Sequence, residues 1–187
     1  LFRTEPALED RALSVLAGDS DSADLVLSLS NPQRRNANSA WLPHLLASLI
    51  ADRQYPKARE IWARVSGVDP DPRELIYDPQ FSRSSEPPPF NWSLTSSALG
   101  LAERQRGGGL HVIYYGQEEG VLASQLLILP AGNYRLVTRA SGAEQAESLR
   151  WDLVCAATNV PIASLPLDQA VRSGWRFTVS PACICGR

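Results

Sequence analysis

The stretch Ser66-Gly-Val-Asp-Pro-Asp-Pro-Arg73 divides the sequence into two parts that differ in hydrophobic period. Before it, apolar residues recur every three to four positions, which is typical of amphipathic helices. After it, they alternate every two positions, which is typical of strands with one buried face. The stretch is rich in turn formers and indicates a domain boundary. The sequence therefore predicts an α-helical segment over residues 1–70 and an all-β domain over residues 74–187, packed together.

Capping residues, early prolines and breakers place four helices before the boundary. They are expected from Thr4 to Gly18, from Ser22 to Leu29, from Asn38 or Ser39 to Ile50, and from Pro56 to Val65. The last two are separated only by a short polar turn, so we expect them to form an antiparallel hairpin.

That hairpin carries the stretch Leu49-Ile-Ala-Asp-Arg-Gln-Tyr-Pro-Lys-Ala-Arg-Glu-Ile-Trp-Ala63. It resembles the core of a tetratricopeptide-type unit, although the usual Trp-Leu-Gly-Tyr pattern of the first helix is missing. A repeat unit does not bury its apolar face alone, so the resemblance implies further helices upstream. Because Leu1 already stands in a helical pattern, we expect a fragment of a longer protein. The segment would form a partner-binding groove or simply pack against its neighbours.

Strands with turn residues between them follow the boundary. Many short strands punctuated in this way predict a two-layer sandwich of the jelly-roll type. An apparent strand, Leu75–Tyr77, comes first, and a long loop separates it from the others. The others are expected at Phe90–Leu94, Ala98–Ala102, Leu110–Tyr115, Val121–Leu129, Tyr134–Ala140, Leu149–Ala156, Val160–Ala163 and Trp175–Val179.

Alternation along four of these strands assigns large apolar residues to the core. This places Trp92, Trp151 and Trp175 inside the sandwich rather than on its surface. The four inward sets are Phe90, Trp92 and Leu94; Leu110, Val112 and Tyr114; Trp151, Leu153 and Cys155; and Trp175, Phe177 and Val179.

Motifs spread over residues 74–185 resemble the carbohydrate-binding-module-like jelly rolls that end some bacterial tetratricopeptide-like proteins. Some of those proteins are associated with exopolysaccharide systems. The resemblance implies a jelly-roll fold and a periplasmic or extracellular location. It is carried by Asp78-Pro-Gln-Phe81, Pro89-Phe-Asn-Trp92, Tyr114-Tyr-Gly116, Gln125-Leu-Leu-Ile-Leu-Pro-Ala-Gly-Asn-Tyr134 and Trp151-Asp-Leu-Val-Cys155.

The opening motif departs from the pattern of these modules. Asp78 and Ser82 stand where the pattern has Asn and Glu. If that Glu helps to hold a structural calcium in related modules, Ser82 puts calcium in doubt here. We predict no metal-ligand residues and no cofactor, and the sequence leaves open whether a calcium is bound.

Composition narrows the class of protein. The 187 residues are 44% hydrophobic and 20% charged, as in an ordinary globular protein. A formal net charge of −2 and scattered basic residues argue against a nucleic-acid partner. No apolar run reaches the length needed to cross a bilayer.

Three cysteines, Cys155, Cys183 and Cys185, lie near the end of the sequence. Their spacing fits no zinc site. A disulfide between Cys155 and either Cys183 or Cys185 is one interpretation, and three buried inert thiols are the other. Closing a loop of roughly 28 residues would stabilise the fold by about 3 kcal/mol and would indicate an oxidising compartment.

No arrangement typical of catalysis is visible, so we predict that the protein is not an enzyme. Neither His44 nor His111 has neighbours that suggest a triad. The carboxylates of Glu118 and Glu119 are expected on a solvated turn, and Gly107-Gly-Gly109 is expected at a hairpin tip rather than around a phosphate.

Sugar binding requires an exposed aromatic ring with polar groups beside it. The candidates are Tyr115 as the ring, with His111, Gln117 and Gln125 as hydrogen-bonding partners. The predicted function is non-catalytic binding in the cell envelope, of a polysaccharide or of the machinery that makes one. The alternative is a protein-interaction scaffold, in which the helices dock a partner and the sandwich is structural or a second docking module.

Overall fold

The computed structural model describes residues 6–69, 74–83, 85–116, 118–142 and 148–183. Within these ranges the helices are α1 (Pro6–Leu16), α2 (Ala23–Leu29), α3 (Trp41–Ala51), α4 (Tyr55–Ser66) and α5 (Leu167–Ser173). The strands are β1 (Ser93–Leu94), β2 (Ser96–Ser97), β3 (Gly100–Arg104), β4 (Leu110–Tyr114), β5 (Ala123–Ser124), β6 (Gly132–Leu136), β7 (Arg150–Cys155), β8 (Val160–Pro166) and β9 (Trp175–Val179).

The four predicted helices are confirmed as α1 to α4, with boundaries that differ by at most three residues where they are described. The start predicted at Thr4 lies outside the described residues. Gly67 ends α4 in the left-handed conformation, with φ at 67° and its N–H donating to the carbonyl of Ala63. Residues 70–73 of the predicted linker also lie outside the described part of the chain.

The strands form small antiparallel sheets. One sheet has the order β2-β3-β4, and the others pair β1 with β5, β6 with β9, and β7 with β8. The order of helices first and antiparallel strands afterwards is as predicted. The finer jelly-roll arrangement stays a prediction, and so does the repeat character of the helices.

Several predicted strands are wrong in extent. Leu75–Tyr77 forms bends and not a strand, and only Ser93–Leu94 and Ala123–Ser124 are strands in two longer predicted stretches. The predicted strand Phe90–Leu94 is shortened because the side chain of Asn91 forms hydrogen bonds with the preceding loop. Its Nδ2 donates to the carbonyls of Arg83 and Glu86. These bonds hold the chain before β1 in an irregular conformation.

Helix α5 is missing from the prediction of an all-β C-terminal part. It is short, and Gly174 ends it by donating its N–H to the carbonyl of Ala170. Asp168 and Arg172 stand four residues apart on it, a helical spacing that was available in the sequence.

The contacts of the chain group it into two compact units, which divide after Ile128. In the first unit, α1 to α4 and the loops that follow share one hydrophobic core. Trp62 of α4 connects these parts: its ring contacts Tyr77 and Phe90, and its Nε1 donates to the carbonyl of Pro87 at 2.8 Å. The domain boundary predicted at residues 70–74 stays a prediction, and the contacts do not divide the chain there.

The second unit has its own buried residues. Trp175 and Val179 of β9 and Cys155 of β7 are buried, as the alternation predicts. Tyr134 and Phe177 stack across β6 and β9 with ring centroids 5.6 Å apart. Of the inward sets in the first unit, Phe90 is buried, whereas Trp92 and the three residues of β4 are only partly buried.

Candidate functional site

The sheet β2-β3-β4 carries the predicted ligand-binding residues that the structure brings together. Glu103 pairs with His111 and Leu101 pairs with Ile113 across β3 and β4. Cross-strand partners lie on the same side of a sheet. We define the outer face as Leu101, Glu103, His111, Ile113 and Tyr115.

The two sides of this sheet differ in burial. On the inner side Gly100 and Ala102 are buried. On the outer face Ile113 is 41% exposed and Tyr115 is 51% exposed. The outer face therefore offers an apolar, partly aromatic surface to solvent, as the alternation predicts.

Tyr115 follows β4 directly and is held by the main chain. Its N–H donates to the carbonyl of Leu99 at 3.1 Å, and Gly116 beyond it has φ at 75°. The backbone of Tyr115 is thus fixed by the sheet while its side chain remains exposed. A rigid aromatic residue in this position loses little conformational entropy when a flat ligand stacks on it.

His111 and Glu103 form a polar pair on the same face. Nδ1 of His111 lies 3.2 Å from Oε1 of Glu103. Because the carboxylate only accepts hydrogen bonds, Nδ1 carries the proton and Nε2 is left for another partner. Nε2 of the neutral ring and the remaining carboxylate lone pairs can therefore accept hydrogen bonds from hydroxyl groups.

The two glutamines of the prediction are not seen to join this face. Nε2 of Gln125 donates to the carbonyl of Tyr77 at 2.8 Å, so the side chain ties two loops together. Gln117 lies outside the described residues. The sugar-binding role of both stays a prediction.

A buried polar network supports the sheet from its inner side. Asp78 is only 4% exposed, and its carboxylate accepts from the N–H groups of Ser82 and Arg83 and from the hydroxyl of Ser82. Nε of Arg104, on β3, lies 3.7 Å from the same carboxylate. The sequence pattern pointed to Asp78 but not to Arg104. The available signal for Arg104 was a basic residue at a strand position that faces inward.

Asn91 completes the network. It is 1% exposed, and its Oδ1 accepts from Arg104 and from the N–H of Trp92. Loop 78–91 is therefore fastened to β3 by the hydrogen bond from Arg104 to Asn91 and by the ion pair of Arg104 with Asp78.

The surroundings of Asp78 do not resemble a cation site. The hydroxyl of Ser82, in the position that raises doubt about calcium, donates to the carboxylate of Asp78, which also accepts from two main-chain N–H groups. Across the described ranges, no three His, Cys, Asp or Glu side chains are grouped so that they could hold a metal ion.

The residues weighed for catalysis are separate in the fold. His44 is exposed on α3, and Glu118 and Glu119 are exposed beyond β4. Gly107, Gly108 and Gly109 form the tip between β3 and β4, where the N–H of Gly108 donates to the carbonyl of Gln105. The predicted hairpin tip is confirmed.

Cys155 and Cys183 form a disulfide, with their Cα atoms 5.6 Å apart. The interpretation as three inert thiols is therefore wrong. Cys185 lies outside the described residues.

The surroundings shift the pKa values of Asp152, in the second unit, and of Tyr77, in a loop of the first unit. The hydroxyl of Ser164 and the guanidinium of Arg150 lower the pKa of Asp152. Burial raises the pKa of Tyr77, whose ring Arg83 covers at 5.4 Å. Neither group lies on the outer face.

The helices carry exposed apolar residues and a polar cavity. Leu8 and Val15 of α1 and Leu25 and Leu29 of α2 are exposed. A cavity of about 270 Å³ adjoins Glu9, whose carboxylate is paired with Arg34. Among the helices described, none has the length and apolar character needed to cross a membrane.

Comparison with known proteins assigns no role to these residues. No protein family model matches the chain, and neither a curated protein nor a solved structure matches it.

Proposed function

We propose that this protein is a non-catalytic binding protein of the cell envelope that binds polysaccharide through the outer face. One observation carries the proposal: the ring of Tyr115 is exposed on the same face as the His111–Glu103 pair. A pyranose ring stacks its apolar side on an aromatic ring, while its hydroxyls bond polar groups nearby. The outer face offers both kinds of contact on a fixed backbone.

The proposal includes the finer fold and the location. The small antiparallel sheets support a jelly-roll sandwich over residues 74–187, and the hairpin of α3 and α4 supports a tetratricopeptide-like segment over residues 1–70. The Cys155–Cys183 disulfide supports an oxidising compartment, either the periplasm or the exterior. A role in exopolysaccharide production agrees with this location.

Affinity-gel electrophoresis through neutral and acidic polysaccharides tests the proposal. We expect at least one polysaccharide to retard the parent protein. Tyr115→Ala should abolish most of the retardation, because each stacked ring contributes on the order of 1 kcal/mol or more. Val137→Ala, an exposed residue of the second unit, is the matched control and should migrate as the parent does. Unretarded migration of the parent in every gel would remove polysaccharide binding.

The second candidate is a scaffold that docks a protein through its helices. The exposed side chains of Leu8, Val15, Leu25 and Leu29 favour it, because such apolar residues commonly mark interaction surfaces when they are contiguous. A photo-crosslinking amino acid at Val15 should then give a protein adduct in the source cells, whereas one at Val137 should not. Equal yields at both positions would argue against the scaffold.

A further inference from the structure

Strand β4 lies at an edge of its sheet. It pairs with β3 on one side, and no other strand of the described chain pairs with it on the other side. An unpaired edge presents a row of N–H and C=O groups that can bind another strand.

The hydrogen bonds identify which residues point away from β3. The N–H of Tyr115 bonds to Leu99, and the carbonyl of Gly109 accepts from Gln105. In an antiparallel ladder such bonds recur at every second residue, so residues 111 and 113 also face β3. The main-chain groups of Leu110, Val112 and Tyr114 therefore point outward.

These outward groups have no main-chain partner in the described part of the chain. The three residues are only partly buried, so the strand keeps some contact with solvent.

The usual protection of an edge strand is missing from β4. Natural edges are blocked by proline, by charged residues or by shortness. The other described strands at least as long as β4 carry such residues or are covered on both sides. Thus β6 and β9 contain Arg135 and Arg176, β7 contains Asp152, and β8 contains Pro161. Strand β4 has five residues and contains neither a proline nor an Asp, Glu, Lys or Arg.

We propose that a second copy of this chain adds to this edge, by antiparallel pairing of the two β4 strands about Val112. Two-fold symmetry makes the same edge serve both copies. Val112 would lie opposite Val112 of the second copy, and Leu110 opposite Tyr114. With three outward residues on each strand, about six main-chain hydrogen bonds would form.

The side chains are compatible with this register. On the outer face His111 would lie opposite Ile113 of the second copy, so no like charges are opposed. The two outer faces would become one continuous surface that carries both Tyr115 rings. The pairing does not depend on polysaccharide binding, but it would double the number of sites that one polymer meets.

Sedimentation equilibrium of the full chain over a range of concentrations tests the proposal. An interface of one strand edge is small, so we expect a dissociation constant on the order of 10–100 µM. Val112→Pro removes one outward N–H and should give a monomer throughout the range. Ile113→Lys leaves the backbone intact and should weaken dimerisation at least tenfold, because it places two ammonium groups near the axis.

Val160→Lys adds the same charge to an exposed strand position of the second unit and should dimerise as the parent does. Circular dichroism will show whether each variant is folded. If Val112→Pro does not fold, the dimerisation of Ile113→Lys alone tests the proposal. A parent that remains monomeric at about 0.5 mM, well above the expected constant, would overturn the proposal. So would a folded Ile113→Lys variant with unchanged dimerisation, or a dimer that persists in a non-reducing denaturing gel and is therefore covalent.

Discussion

Nε of Arg104 lies 3.7 Å from the buried carboxylate of Asp78, and Nη2 of the same guanidinium donates to Oδ1 of Asn91 at 3.0 Å. This one side chain joins strand β3 to both ends of loop 78–91. The loop in turn carries Tyr77 and Phe90 at its borders, and both contact Trp62 of α4. The network thus connects the sheet that bears the outer face with the helical core.

Asp78→Ala should lower the free energy of unfolding by about 3–5 kcal/mol, because it leaves two main-chain N–H donors without their acceptor and the partly buried guanidinium of Arg104 without its counter-charge. Urea denaturation followed by tryptophan fluorescence measures this loss. Glu60→Ala, which removes an exposed ion pair with Arg64 on α4, is the control and should cost less than about 1 kcal/mol. Equal losses for the two variants would show that the network is not stabilising.

Trp62→Phe should lower the free energy of unfolding by about 1–2 kcal/mol, because it removes the hydrogen bond to the carbonyl of Pro87 and leaves that acceptor unpaired. Trp62→Ala should cost about 3–5 kcal/mol, since it also opens a cavity among buried rings. The same denaturation assay distinguishes the two. If Trp62→Ala were as stable as the parent, the helices and loop 78–91 would not share a core.

The pKa of Asp152 is lowered chiefly by the hydroxyl of Ser164 and also by Arg150. A carboxyl group whose pKa is lower in the folded state stabilises the fold above its unfolded-state pKa, and this contribution disappears as the pH falls through the folded-state pKa. Ser164→Ala should therefore raise the pKa of Asp152, as measured by NMR titration of its carboxyl carbon. The effect on stability should be small, because the side chain is about half exposed. An unchanged pKa would contradict this assignment.

The Cys155–Cys183 disulfide should stabilise the second unit. Cys183→Ser should lower the free energy of unfolding by about 3 kcal/mol, since a loop of roughly 28 residues is no longer closed in the unfolded chain. Cys185→Ser should leave stability unchanged, and mass spectrometry of its unreduced peptides should still find the pair. Greater destabilisation by Cys185→Ser than by Cys183→Ser would show that another pairing predominates in solution.

Much of the fold could be predicted from the sequence, because hydrophobic periodicity and the Gly and Pro residues that end helices and strands determine local structure. The stripe of α4 and the alternation of β4 and β9 are of this kind. Loop 78–91 could not be predicted, since its conformation depends on the side chain of Arg104, which lies far along the chain. Alternation predicts one strand over Phe90–Leu94, because the pattern does not include the hydrogen bonds from the side chain of Asn91 to the preceding loop.

The candidate site was predictable to a similar degree. Alternation alone places His111 and Tyr115 on one face, where the structure shows Tyr115 exposed beside Ile113 and His111 partly buried. Gln125 was chosen by residue type, and its amide is bonded to a main-chain carbonyl that only the folded chain brings near. The cross-strand partner Glu103 was missed because register is not visible in a single strand.

The most direct test of polysaccharide binding is a map of amide chemical shifts during titration with oligosaccharides from the polysaccharide that retards the protein most. We predict that the largest changes cluster at Leu101, Glu103, His111, Ile113 and Tyr115, and that Tyr115→Ala removes them. Changes confined to α1 and α2, or no saturable changes at all, would contradict the account.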